Sequence, residues 1–589
     1  MDKNNRLHCW QDRLYNSLTS YSDDLQLMDK REALYCGTHT VFSSPNAKDA
    51  SCVRNIVSEL IEAEAETTIP RPKVTARCRG DEPKAELIEA FLANELDRLP
   101  FEVINDLDER TTPIQGGDFF LIEWDMTKGG HSEDGGLNIT LLHPKQVIPQ
   151  SAVTDINEMD YIIIQTAKTK ASIKRIFGID VANELEENPS ARATGEYIPS
   201  EDIVTLNTAY YRNKDGTIGR FRWVNDTVVE DLSDYQSRIL RRCNNCGSVC
   251  FEDECSCGSH SFSLKAEKYE MLNADVVRTD GTIIKKGTKI PFYTPNIMPV
   301  VLRKNVSVFG QLLGDSDVDK ITDQQELIKK LGSKIQEKLL KGGSYVTFPR
   351  GASIRKTDEE LKVIELNNIS DKQLIDVLNI QPDISRDMEY QERVYTASRQ
   401  SIGITDSFQG RYDPTALSGK AKQIAAEQSA GRLEGKRVMK RAAYARIFEI
   451  MFKFLLAYAD EKLNVAGAQS ENGIEYRTFN RYDFLEQDSA GEYYWNDDFL
   501  FSVDSSTLPA GNRELMWNEA KENFSGGAYG NPSEDSTRLL YWTELERLHY
   551  PHAKEIRDSI RRRLENSKDE ENGGKDNNEI VNRKVGDAK

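Results

Sequence analysis

The chain has 589 residues, 38% hydrophobic and 29% charged, with 96 acidic against 77 basic side chains and a net charge of −19. That length supports two or more cores, and the acidity argues against a dedicated high-affinity nucleic-acid binder, whose phosphate contacts favour a basic face. No apolar run approaches the roughly 18 residues of a membrane helix, and no signal peptide opens the sequence, so the expected setting is cytoplasmic, where thiols stay reduced.

In chain order, the stretch through about Glu66 reads as helices, with Trp10, Leu14 and Leu18 at three- to four-residue spacing and "CVRNIVSELIEAEAE" repeating the pattern. Pro70 and Pro72 break it, and a further helix is expected over Lys84–Leu99. From Gln115 the pattern becomes strand-like: "DFFLIEWD", "LNITLLHP" and "DYIIIQTA", then a short helix over Lys170–Phe177, then "DIVTLNTAYYR" and "GRFRWVND". Asp315 to Lys341 carries Val318, Ile321, Ile328, Leu331, Ile335 and Leu339 at helical spacing. A small strand pair ("SYVTFPRG", "ELKVIEL") precedes a second helix over Ile384–Ile402. A loop, "GITDSFQGRYDPTALSG", then leads into a very long helix over Gly419–Leu463. Strands return near Ile474–Val503 and helices near Asn512–Phe524 and Ser536–Glu565. The polar tail from 567 lacks any apolar period and is expected to be disordered.

Between two strand regions lies "CNNCGSVCFEDECSCGSH", Cys243 to His260, which holds five of the nine cysteines. Cys243-x-x-Cys246-Gly makes a turn whose backbone amides can face thiolate sulfur, and Cys255-x-Cys257-Gly closes the site about a dozen residues later. Tetrahedral zinc takes four such ligands from two knuckles. Cys250 falls on an alternating run and reads as a spare; His260 and Cys250 are the substitutes for a fourth ligand, because the second knuckle is C-x-C. Four filled thiolates leave no open position for water, so the site is structural. The bland alternative, a set of unliganded thiols, finds no apolar core in these polar, Gly-rich surroundings.

Two other motifs are set aside. "DSDVDKITDQQE" (Asp315 to Glu326) spaces carboxylates like a calcium loop, but Lys320 stands where the turn needs Gly, and acidic residues are favoured at a helix start. "SGKAK" (Ser418–Lys422) has Pro414 for the leading glycine of a phosphate loop and Ala421 for its Ser/Thr.

The order of elements resembles the portal proteins of tailed double-stranded DNA bacteriophages, particularly those of phages of Gram-positive hosts. The stretches that carry it are "REALYCGTH" with "RNIVSELIEAEAETTIPRPKVTAR", "QGGDFFLIEWD" and "LLHPKQVIPQ", "MPVVLRKNVSVFGQLLGDSDVDKITDQQELIKKLGSKIQEKLLK", "DPTALSGKAKQIAAEQSAGRLEGKR", and "LLYWTELERLHYPHAKEIRDSIRRRLE". Together they cover nearly the whole chain; the helix–small sheet–helix–loop–long helix order from 315 to 463 is the stronger signal.

The resemblance implies an α+β portal fold with a zinc-ribbon-like insert. Its parts would be an N-terminal wing (1–234), the insert (235–266), wing strands (267–314), a first stem helix (315–341), a clip (342–383), a second stem helix (384–402), a tunnel loop (403–418), a long helix (419–463), returning wing strands (464–510), crown helices (511–566) and the tail (567–589). It implies a non-enzymatic, homododecameric ring at one capsid vertex of the virion, assembled in the host cytoplasm. DNA is packaged and ejected through such a ring. The implied partners are the large terminase subunit, scaffold and major capsid protein, head-completion (connector) proteins and the double-stranded DNA, with no membrane. Arg411, Tyr412 and Lys420 are the expected DNA-facing residues. The zinc insert is not part of the family's definition and reads as a local staple on the wing. The competing class is a zinc-ribbon nucleic-acid-binding protein or a nuclease or terminase component; a third is a scaffold or minor head protein that forms no closed ring.

Overall fold

The computed structural model describes residues 3–37, 54–125, 135–182, 202–248, 254–272, 274–279, 281–341, 343–349, 362–366, 379–380, 383–404, 419–459, 463–470, 473–504, 510–548 and 550–564. The chain is mixed helix and strand, and its centre is a stack of layers.

Strand Gly117–Asp125 is the middle of a three-stranded antiparallel sheet, flanked by Gly136–Leu142 and Val300–Lys304. Its first six residues are buried, and the alternation of a strand sends them to two different cores. Phe120 and Ile122 face the long helix, while Phe119 and Leu121 face a five-stranded antiparallel meander. The meander runs 147–149, 161–169, 203–212, 218–224, 227–232. It alternates likewise: Ile162 and Ile164 point to the three-stranded sheet, Ile163 to the N-terminal helix Lys3–Cys36. That helix buries Leu7, Trp10, Tyr21 and Met28 against the meander, where Trp10 meets Tyr161 edge-on.

The long helix is Gly419–Tyr458. Over its last four turns it is buried nearly all round: Tyr444, Ile447, Phe448, Met451, Phe452 and Leu455 are each at most 1% exposed. A helix apolar on every face belongs inside a protein. It ends at Tyr458, earlier than the expected Leu463, because the chain there begins strand Leu463–Ser470. Strand Phe499–Val503 returns to pair antiparallel with Pro72–Ala76, placing Phe501 opposite Val74.

Helices Asp317–Lys341 and Ser385–Ile402 lie side by side and antiparallel. Ile321 shares a cluster with Ile402, Ile328 with Val394 and Tyr395, and Lys338 pairs with Asp387. Between them in sequence stands a small sheet: Gly343–Pro349 pairs in parallel with Lys362–Leu366 and antiparallel with Asn379–Ile380.

Two expectations need correction. A helix runs over Phe101–Gln115, closed by Gly116 at φ 85°, where the sequence pattern gives no element between the helix ending at Leu99 and the strands from Gln115. The single helix expected over Ser536–Glu565 is two, Asp535–Arg547 and a helical stretch over 553–564, because Pro551 cannot continue the first. The first of these packs against Ala510–Ser525, with Phe524 stacked on Tyr541. The tail from 567 lies outside the described residues.

Candidate metal centre

Strands Arg238–Cys243 and Phe262–Glu267 form an antiparallel hairpin with Cys243 opposite Phe262, and the cysteine run is carried at its tip. Two tight turns shape it. The Gly247 N–H donates to the Cys243 carbonyl at 2.9 Å, and the Gly258 N–H to the Cys255 carbonyl at 2.7 Å. Both glycines have positive φ, 74° and 77°, a conformation that a Cβ disfavours. The two loops are tied back by Cys243 N–H to the Ser248 carbonyl (2.9 Å), Asn244 N–H to the Ser261 carbonyl (2.9 Å) and Cys255 N–H to the Ser259 carbonyl (3.0 Å).

These turns bring four sulfurs together. The Sγ atoms of Cys243, Cys246, Cys255 and Cys257 all lie within 4.8 Å of one another. Each knuckle pairs with the other: Cys243 Sγ is 3.5 Å from Cys257 Sγ, and Cys246 Sγ is 3.4 Å from Cys255 Sγ. Four thiolates at about 2.3 Å from a tetrahedral ion stand about 3.8 Å apart, so the donor set fits such an ion with small adjustment. Cys243 and Cys255 are buried, and Cys246 and Cys257 are exposed. The Cys246 backbone N–H is the main group holding the Cys243 thiol below its ordinary range. Hydrogen bonding with the Cys246 thiol chiefly pushes Cys257 up to about 12. Thiols crowded this closely share protons unless a cation replaces them. Among the described residues these four are the cluster of His, Cys, Asp and Glu side chains able to hold a metal ion.

His260, named as a substitute ligand, is exposed and stands outside the four. Cys250 lies outside the described residues, as do Arg411 and Tyr412. Lys420 is in the first turn of helix Gly419–Tyr458, its side chain not among those described.

The acidic run at Asp315 is a helix start. Asp317 and Asp319 occupy the first turn, and their carboxylates are engaged separately. Lys436 and Asn305 donate to Asp317 at 2.7 and 2.8 Å, Lys320 at 3.1 Å, and Arg31 Nε reaches Asp319 at 3.0 Å. They therefore do not converge on one point as calcium or two-metal sites require.

Sequence reasoning missed a buried ionic cluster. Arg303 pairs with Asp108 and, at 2.8 Å, with Glu109; Lys440 reaches Glu109 at 2.9 Å; Tyr444 donates to Asn105 at 3.3 Å. Asp118 lies beside them fully buried, and burial followed by the nearby Asp108 carboxylate raises its pKa well above the usual carboxylate range. The available signal was Arg303 inside the apolar strand "VVLRK", since a cation there needs a buried partner.

No family model matches the chain, and no curated protein matches its sequence.

Proposed function

We propose that the chain is the subunit of a bacteriophage portal ring, through which double-stranded DNA is packaged and later ejected, and that its four-cysteine site holds a structural zinc. The observation that carries this reading is the antiparallel helix pair Asp317–Lys341 and Ser385–Ile402 with a three-stranded sheet between them in sequence, followed by a long helix that ends inside the main core. In a portal the pair is the stem, the small sheet is the clip that meets terminase and later the connector proteins, and the segment before the long helix is the tunnel loop. An acidic chain suits a channel that must let phosphate slide rather than hold it.

Zinc is the metal this reading assigns, because four thiolates from two knuckles make a closed tetrahedral site with no position for a reacting water. Among the described residues, the apolar cluster of the hairpin that carries it is Phe262 against Cys243 and Cys255, and this reading gives the ion the role of a core there. The cysteine hairpin also favours a second reading, a zinc-ribbon nucleic-acid protein or nuclease component. The engaged carboxylates of Asp317 and Asp319 weigh against cleavage chemistry. Negative-stain imaging of the purified chain, with ATPase and nuclease assays, separates the readings. The portal reading expects rings with a central hole and neither activity. Monomers, or metal-dependent cleavage lost in Asp317→Asn, would favour the second.

A further inference from the structure

A ring whose subunits meet head to tail needs two different faces on each subunit, and they must be complementary. Two surfaces of this chain meet that requirement.

The first is a groove of about 1020 Å³ between the long helix and the Val300–Lys304 strand, floored by Met298, Val300, Met439 and Ala443. The loop after that strand projects Phe309 at its mouth, fully exposed. This loop is held at its base. The N–H groups of Asn305 and Gly314 both donate to the Gly116 carbonyl, at 3.0 and 2.9 Å, and Asp315 N–H donates to the Val306 carbonyl at 2.9 Å. A Cβ on Gly314 would come within 2.3 Å of the Val306 carbonyl oxygen and 2.9 Å of the Gly116 carbonyl oxygen, so only glycine fits there. Phe309 does not stand alone: with the partly exposed Val306 on the same loop and the apolar groove floor beside it, it extends an apolar surface of the kind that marks an interaction site. The groove is also basic on an acidic molecule, with Arg212, Lys304 and Arg446 in its lining against one acid, Asp155. Arg212 donates only to the backbone carbonyls of Met159 and Asn157, and Lys304 to that of Gln311, so neither cation has a carboxylate partner among the described residues.

The second surface is the outer face of helix Phe101–Gln115. Val103 and Leu107 are 60% and 51% exposed, with the exposed acids Glu102 and Asp106 beside them. At about 100° per residue these four occupy one continuous stripe, with Glu102 and Asp106 along one edge and Val103 and Leu107 along the other. Arg110 stands between the edges, paired with Asp106 and Glu62, which leaves Glu102 as the acid with no ion pair among the described residues.

The two surfaces point away from each other. Phe101, Ile104, Asn105 and Asp108 face Tyr444 on the long helix, and the stripe is on the opposite side of their helix. On the long helix, the groove residues Met439, Ala442 and Arg446 lie roughly 150° around from Tyr444. The stripe of one molecule therefore cannot fill its own groove. We propose that the groove and Phe309 of one subunit receive the Glu102–Leu107 helix stripe of the next copy, with Arg212 and Lys304 facing Glu102 and Asp106. This rests on the ring reading above and names the contact that closes the ring.

The test places a photo-reactive benzoyl-phenylalanine at 309 in the full-length chain, mixing isotope-labelled and unlabelled copies. Irradiation is expected to give cross-links between copies that map to the 101–115 peptide. Phe309→Asp is expected to raise the concentration for half-assembly about thirtyfold or more, as loss of a central aromatic anchor does. The melting temperature of the unassembled chain, read below that concentration, stays unchanged because the side chain is fully exposed in the monomer. Lys304→Glu and Glu102→Lys should each weaken assembly, and the double variant should restore it. Rings that persist in Phe309→Asp, or cross-links mapping elsewhere on the neighbour, overturn this contact and leave the ring reading standing. A wild-type chain that stays monomeric at every concentration overturns both.

Discussion

Lys436 on the long helix donates to Asp317 at the start of the Asp317–Lys341 helix, 2.7 Å away, and to Glu64 at 2.8 Å. One ammonium, four-fifths buried, thus joins three elements far apart in the chain: helix Ile56–Glu64, the first of the paired helices, and the long helix. Removing the cation leaves two buried carboxylates facing each other. Lys436→Met is expected to destabilise the chain by about 3–5 kcal/mol, read from the urea midpoint at pH 7.5.

The same contact gives a pH dependence. Burial, and then the Asp317 carboxylate, push Glu64 up to about 7 from an ordinary 4.5. A carboxyl raised in the folded state stabilises fully below its unfolded value and loses that contribution as pH rises through its folded value. Between about pH 4.5 and 7 the wild type should therefore lose stability relative to Glu64→Gln. The difference in slope should not exceed about 1.4 kcal/mol per pH unit. Parallel stability profiles for the two proteins would show that Glu64 keeps its ordinary pKa.

Asp118 offers a second case. It is fully buried with its pKa raised well above the ordinary range, beside an Arg303 already committed to Asp108 and Glu109. A carboxyl held neutral behaves like its amide, so Asp118→Asn should change stability by less than about 1 kcal/mol at pH 6. As pH rises toward Asp118's folded pKa, the wild type should fall below the variant, since its raised-pKa contribution is lost there. Arg303→Met, by contrast, strands Asp108 and should cost about 3–5 kcal/mol. Denaturant titrations from pH 5 to 9 separate the two.

These clusters explain what the sequence could and could not reveal. The cysteine hairpin was legible because its ligands lie within fifteen residues of one another and its turns need local glycines. The antiparallel pair was legible from the stripes of Val318, Ile321 and Ile328. Helix Phe101–Gln115 was hidden because its inner face is largely polar. Asn105, Asp108 and Glu109 read as a solvated surface until Arg303, Lys440 and Tyr444 arrive from about 200 to 340 residues away. Cysteine spacing alone also could not choose the fourth ligand; the fold brings Cys257 into the cluster and leaves His260 outside it.

Purified protein should carry close to one zinc per chain. Cys246→Ser should abolish it and unfold the hairpin while leaving the Asp317–Lys341 and Ser385–Ile402 helices formed, because their apolar contacts lie elsewhere. His260→Ala and Cys250→Ser should retain the metal. Metal analysis with limited proteolysis around 243–260 checks this; loss of zinc in either of the last two variants would change the ligand set.

On the portal reading, the segment 403–418, of which 405–418 lie outside the described residues, is expected to reach DNA in the assembled particle. Deleting residues 409–414, which include Arg411 and Tyr412, should leave assembly intact and impair packaging or retention of DNA. Normal packaging by the deletion variant would remove the segment from the channel.

The most direct measurement of the central claim is mass photometry of the full-length chain across a concentration series. The portal account predicts a closed species near twelve subunits, about 800 kDa for chains of 66.9 kDa, that neither grows further nor requires DNA. A population that remains at one subunit up to micromolar concentration, or that lengthens without limit, would contradict it.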